Sequence, residues 1–296
     1  MLHLVDSSIY VFRAWQTLPA DIVNTFDEQA NAIIGFTNTL VDIICKEKPS
    51  HLVCAFDESL RLGHRHTIYP DYKANRPPAP PELKIQFDRC KQVVEALGGV
   101  ALGSQCVEAD DIIGQLAALA HDNREPSTII TGDKDLAQFI KAGDTYWNYA
   151  RNERSTPAML KKRFGVGTHQ IADLLALCGD KTDNIPGIPG VGMTTAARLL
   201  VKWGNLDTLF SHVDKVADMK FRGAPRISLL LKEHEQTVRL ARELTGLIID
   251  DTLPDSLSEL CFSQRELDDI SKDLVDCGFS HERAEQLATK TQSAYL

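Results

Sequence analysis

Nine carboxylates in this chain have the type and spacing for shared chemistry: Asp6, Asp57, Glu108, Asp110, Asp111, Asp133, Asp135, Asp180 and Asp183. They come in short groups. Glu108, Asp110 and Asp111 crowd EADD, Asp133 and Asp135 flank one lysine in TGDKD, and Asp180 and Asp183 sit in GDKTDN at a spacing that predicts one helical turn between them. Like charges held close together raise each other's pKa unless cations share the space. All-oxygen sets of this kind favour Mg2+ or Mn2+, which keep waters and bind substrate phosphates. Two or more such ions can activate a water and stabilise the leaving oxygen in phosphodiester hydrolysis. Each acid alone is equally a solvated surface group, a helix cap or a dipole partner. The joint pattern is what points to metal.

The elements that must position these acids repeat. LHLVD ends at Asp6, HLVCAFD at Asp57 and STIITGD at Asp133, each an apolar run suited to a buried strand. Helical stretches such as ANAIIGFTNTLVDIICK separate them. Strands alternating with helices predict an α/β fold with a central, mostly parallel sheet. Ligands in such sheets bind beyond the carboxyl ends of the strands, so the terminal acids point at one edge. VEADDIIGQLAALA reads as a helix with acids crowding its start. Thr156-Pro157 opens a short helix that closes at Gly165, and Thr168 is expected to cap the helix that delivers Asp180 and Asp183.

Two further stretches suit a phosphate backbone. In IPGIPGVG, Gly187, Gly190 and Gly192 remove side chains, and Pro186 and Pro189 forbid a continuous helix. The helix MTTAARLLVKWG follows, offering N–H groups in its first turn and Arg198 and Lys202 on one face. Arg61–Lys91 is basic and carries Tyr69, Tyr72 and four prolines (Pro77, Pro78, Pro80 and Pro81). It is expected to leave the sheet as a protruding segment over the acidic edge, with Lys73 and Arg76 on phosphates and Tyr72 on a base.

Length and composition set the bounds. The chain has 296 residues, is 43% hydrophobic and carries a net charge of −9. It can bury a full core, and it lacks the general basic coat of a nonspecific nucleic-acid binder. Seven widely spaced cysteines form no CxxC pair, which argues against a disulfide framework or a zinc site and for reduced thiols in the cytoplasm. Neither a signal peptide nor a membrane span is expected.

With LVD, AFD, YKANR, EADD, TGDKDLAQ and GDKTDNIPGIPGVG in this order, the chain resembles the 5′-nuclease superfamily over roughly residues 2 to 251: flap endonucleases and the 5′→3′ exonuclease domain of bacterial DNA polymerase I. The resemblance implies a metal-binding core over residues 1–175 that includes a helical arch at about 61–91. It implies a helix-three-turn-helix and helical region over 176–254, with a helical tail over 255–296. It assigns Asp6, Asp57, Glu108 and Asp110 to a first metal, and Asp111, Asp133, Asp135, Asp180 and Asp183 to a second metal or the shell between the two. It gives Lys73 and Arg76 the scissile phosphate and Tyr72 a substrate base. It implies DNA contacts at Arg65, Gly187, Gly190, Gly192, Thr194, Arg198 and Lys202, and a potassium ion held by the loop carbonyls. Met193, Thr194 and Thr195 stand where relatives often carry lysine.

The implied activity is a stand-alone Mg2+-dependent hydrolase of DNA. It would act as a 5′→3′ exonuclease and a flap endonuclease near single-strand/duplex junctions, with RNA–DNA hybrids among the candidate substrates and a monomer as the working unit. Two other readings compete. A non-catalytic DNA-binding protein would have no need of the complete acidic set. A PIN-type ribonuclease would share the acidic edge but lack the glycine hairpin and the basic segment.

Overall fold

The computed structural model describes residues 1–58 and 63–295. Strand β1 (Leu2–Asp6) runs into α1 (Ser7–Thr17) and then α2 (Asn31–Glu47). Next come β2 (His51–Asp57), α3 (His64–Ile68), α4 (Pro81–Ala96), β3 (Val100–Ser104), α5 (Ala109–Asp122) and β4 (Ser127–Ile130). Two short strands, β5 (Thr145–Asn148) and β6 (Glu153–Ser155), complete one sheet of order β3-β2-β1-β4-β5-β6. All neighbours pair parallel except β6, which runs antiparallel to β5.

Alternation places successive residues on opposite faces of the sheet. Leu4, Val53, Ala55, Ile129 and Tyr146 join one apolar layer, while Val5, Cys54, Phe56, Ile130 and Trp147 join the other. Burial on both faces explains why these strands read as unbroken apolar runs. The expected α/β architecture is therefore present.

The remaining α-helices among the described residues are α6 (Pro157–Phe164), α7 (Ile171–Cys178), α8 (Met193–Trp203), α9 (Leu206–Ser211), α10 (Ala224–Glu233), α11 (Glu235–Thr245), α12 (Leu267–Asp276) and α13 (His281–Ser293). Thr156 caps α6 as expected, its Oγ1 accepting from the Met159 amide at 3.5 Å, and Gly165 closes that helix at φ 78°. The two tail helices pack on each other, α12 against α4 and α13 against α2.

The structure corrects several expectations. The basic segment does not protrude as one piece: its second half is α4, whose Leu83, Cys90, Val93 and Val94 are buried. Gln86, also buried, accepts the amides of Ala32 and Ile33 at 2.8 and 3.2 Å, so α4 caps α2 across the core. The first two residues of the segment, 61 and 62, lie outside the described residues. Strand β4 stops at Ile130, so Asp133 sits in the following loop rather than at a strand end. Thr168 does not cap α7; its hydroxyl donates to the Ile140 carbonyl at 2.7 Å. Helix α7 ends at Cys178 because Gly179 turns the backbone to φ 72°. Asp180 and Asp183 therefore lie on a turn closed by reciprocal Asp180–Ile185 backbone bonds of 3.0 and 2.8 Å, not on a helix.

Candidate active site

The strand order reverses direction between β1 and β4, the position where open α/β sheets leave a crevice at their carboxyl edge. Asp6 ends β1 there, only 3% exposed, and accepts from Thr131 Oγ1 at 2.7 Å. The same Thr131 oxygen accepts the Asp133 amide at 2.9 Å, and Asp133 accepts the Asp135 amide at 2.9 Å. Asp57 ends β2, and its Oδ1 accepts the Ala109 amide at 2.9 Å, in the first turn of α5. Glu108 is the N-cap of α5 and Asp110 stands in its first turn.

Burial and mutual repulsion strain this group. Burial, then the charges of Asp57 and Asp133, push Asp6 up to about 7 against the pull of Thr131. Burial and Asp133 do the same to Asp135, also to about 7. Asp110 is raised well above the carboxylate range by burial, Asp133 and Asp6. Asp133 is raised chiefly by burial, with Asp183 adding to it.

Four cations stand among these acids. Burial would raise Glu108, but Lys73 and Arg65 outweigh it and hold the carboxyl below its usual range. Lys73 Nζ lies 2.8 Å from Glu108 and 3.8 Å from Asp183. Arg76 pairs with Asp183, and Lys134 with Asp180. The turn carrying Lys73 is locked to the turn carrying Asp183. The Lys73 amide donates to the Asp183 carbonyl at 2.9 Å, Asn75 Nδ2 to the Lys181 carbonyl at 2.9 Å, and Asn184 Nδ2 to the Asp71 carbonyl at 2.7 Å. Lys73 holds a left-handed backbone, φ 52°, within this interlock.

Some expected site residues face elsewhere. Arg65 is buried and forks onto Asp111 at 2.5 and 2.8 Å, and it also donates to the carbonyls of Leu244 and Gly246. Asp111 further accepts the Ile248 and Glu108 amides. Arg65 Nη1 also lies 3.6 Å from Glu108, but in this arrangement neither Arg65 nor Asp111 presents itself to a phosphate. The Tyr72 ring is 3% exposed, with its hydroxyl 2.9 Å from Glu108, so no face is open to a base. Lys134, Thr131, Asn75 and Asn184 went unassigned in the sequence, although a lysine set between the two acids of TGDKD was itself a signal.

The glycine loop divides by role. A Cβ on Gly187 would lie 2.3 Å from the Cys178 carbonyl carbon, so that glycine serves close packing of the loop against the end of α7. Gly190 and Gly192 meet nothing within 4 Å, which leaves their backbone open to a ligand. Thr194, Arg198 and Lys202 are exposed along one face of α8, four residues apart each time.

Among the described residues, no group of three or more acids, histidines or cysteines is arranged to hold a metal ion as it stands. Lys73, Arg76 and Lys134 pair with Glu108, Asp183, Asp135 and Asp180. The donor set nonetheless fits a hard divalent cation. It is carboxylate oxygen throughout, largely buried, and Asp135 Oδ1 is buried without a hydrogen bond, 3.3 Å from Lys134 Nζ. Among the described residues, no helix is long and apolar enough to cross a membrane.

Residues 1–165 match the 5′-3′ exonuclease, N-terminal resolvase-like domain, and residues 166–268 the 5′-3′ exonuclease, C-terminal SAM fold. The chain belongs to the 5′-3′ exonuclease family and is a nuclease. A 5′-3′ exonuclease of Buchnera aphidicola is 32% identical over 83% of this chain and 86% of its own length. DNA polymerase I of Pseudomonas aeruginosa is 37% identical over 88% of this chain, which spans only 28% of that polymerase. A bacteriophage T5 flap endonuclease, solved as a pseudo-enzyme-product complex with DNA and metal ions, shares the fold at TM-score 0.64 and 15% identity, over 99% of each chain.

Proposed function

We propose that this nuclease is a Mg2+-dependent enzyme that cuts 5′-flap DNA near the single-strand/duplex junction and degrades DNA from 5′ ends. The observation that carries the reading is the meeting of Asp6, Asp57, Glu108, Asp110, Asp133, Asp135, Asp180 and Asp183 at the carboxyl edge of a parallel sheet, with Lys73 and Arg76 against them. Asp6, Asp57, Glu108 and Asp110 would hold one ion, and Asp133, Asp135, Asp180 and Asp183 a second. When bound, divalent ions supply a nucleophilic water at neutral pH and stabilise the leaving oxygen.

The chain's own groups do the rest. Lys73 and Arg76 exchange Glu108 and Asp183 for the scissile phosphate, whose charge they offset. Tyr72 orients Glu108 through its hydroxyl. Gly190, Gly192, Thr194, Arg198 and Lys202 grip the duplex backbone, with a potassium ion on carbonyls of the adjoining loop. One copy of the chain suffices, and flaps begun with RNA are accepted.

The test is an end-labelled 5′-flap DNA incubated with EDTA or Mg2+, beside an Asp133→Asn/Asp135→Asn variant and an RNA-tipped flap. Junction cleavage that needs metal and is lost in the folded variant supports the reading. Binding without cutting under any divalent ion refutes it.

A further inference from the structure

Lys134 stands between the two acids of TGDKD, and its ammonium is a bridge. Nζ bonds Asp180 Oδ2 and lies 3.3 Å from Asp135 Oδ1. Those carboxylates come from different parts of the chain: Asp135 opens the 3-10 turn Asp135–Phe139 beyond β4, and Asp180 lies on the turn after α7. Asp180 Oδ1 is already taken by the Thr182 amide at 2.7 Å. Asp135 Oδ1 is buried and makes no hydrogen bond. One positive charge thus serves two carboxylates. The Lys134 side chain is 38% exposed, so it has a route out to solvent.

We propose that Lys134 is a built-in counter-cation of the second acid group, holding Asp135 and Asp180 together until a divalent ion displaces it. The inference rests on the metal-dependent reading above. Asp135 and Asp180 would also be ligands of a divalent ion, which would need the space the ammonium fills. The two cannot share that space. Lys134 therefore keeps the metal-free fold intact and weakens binding of the second ion.

Lys134→Met and Lys134→Arg separate this from a purely structural role. Mn2+ binding to the DNA-free full chain is measured by electron paramagnetic resonance, with thermal melts in EDTA and in Mn2+. Lys134→Met should bind the weaker Mn2+ ion about fivefold more tightly, equivalent to ~1 kcal/mol. It should melt below the wild type in EDTA and at or above it in Mn2+. Lys134→Arg, keeping the charge, should retain the weak affinity. Unchanged Mn2+ affinity in Lys134→Met, or a melting loss equal in both conditions, overturns the proposal while wild-type flap cleavage stands. Absence of Mn2+ binding in the wild type overturns the metal reading together with it.

Discussion

Neutralising Asp6 should make the metal-free protein more stable and less active, with the gain growing as pH rises. Asp6 is 3% exposed, ends β1 beside Asp57 and Asp133, and has its carboxyl pushed from 3.8 to about 7. Between about pH 4 and 7 the folded protein therefore holds more protons on this group than the unfolded chain does. Stability without metal falls as pH rises through that window. Keeping Asp6 ionised at pH 8 costs up to ~4 kcal/mol by this measure, and relaxation and water entry leave ~1–2 kcal/mol. Asp6→Asn removes the charge and keeps an acceptor for Thr131. In EDTA at pH 8 its melting temperature should rise by about 2–3 °C, and at pH 5 by roughly a third of that. Saturating Mg2+ should stabilise the wild type more than the variant, and flap cleavage by the variant should be nearly abolished. Differential scanning calorimetry at the two pH values is the assay. A lower melting temperature at pH 8 in EDTA, or an equal rise at both pH values, would refute the reasoning.

Arg65→Met strands the buried Asp111 carboxylate and should cost about 3–5 kcal/mol in urea unfolding, much of it recovered by adding Asp111→Leu; a phosphate-contact role would instead leave stability unchanged. Arg198→Gln and Lys202→Gln should each weaken duplex binding and lower the salt slope by about 1, read by fluorescence anisotropy over a salt series, with the melting temperature unaltered. Arg76→Ala should lower kcat on flap DNA with little change in KM, because its charge is engaged when the phosphate is; a pure KM effect would place it in ground-state binding instead.

The sheet edge was legible because each element there carries its own signal. An apolar run closing on an acid, as in LHLVD and HLVCAFD, marks both a buried strand and its functional end. Strand β3, VALGS, was not legible: alanine and glycine carry little strand preference, and only its pairing with β2 defines it. The helix before Asp180 read as too long because IADLLALC keeps its apolar pattern to the last residue, and one glycine then ends it. The pairing of Arg65 with Asp111 was not legible for a different reason. Their pairing spans 46 residues and is completed by carbonyls at 244 and 246, which no local pattern encodes.

The interlock of the Asp71–Arg76 and Asp180–Ile185 turns crosses the junction at residues 165 and 166 where the two family regions meet. Arg65 crosses the same junction through Leu244 and Gly246. The two regions are consequently not exchangeable parts. A chimaera that took residues 166–268 from a relative would inherit a turn cut to fit a different partner, and the Lys73 ammonium would lose its register over the acids. Grafting a new duplex specificity onto this nuclease means moving both turns as one unit.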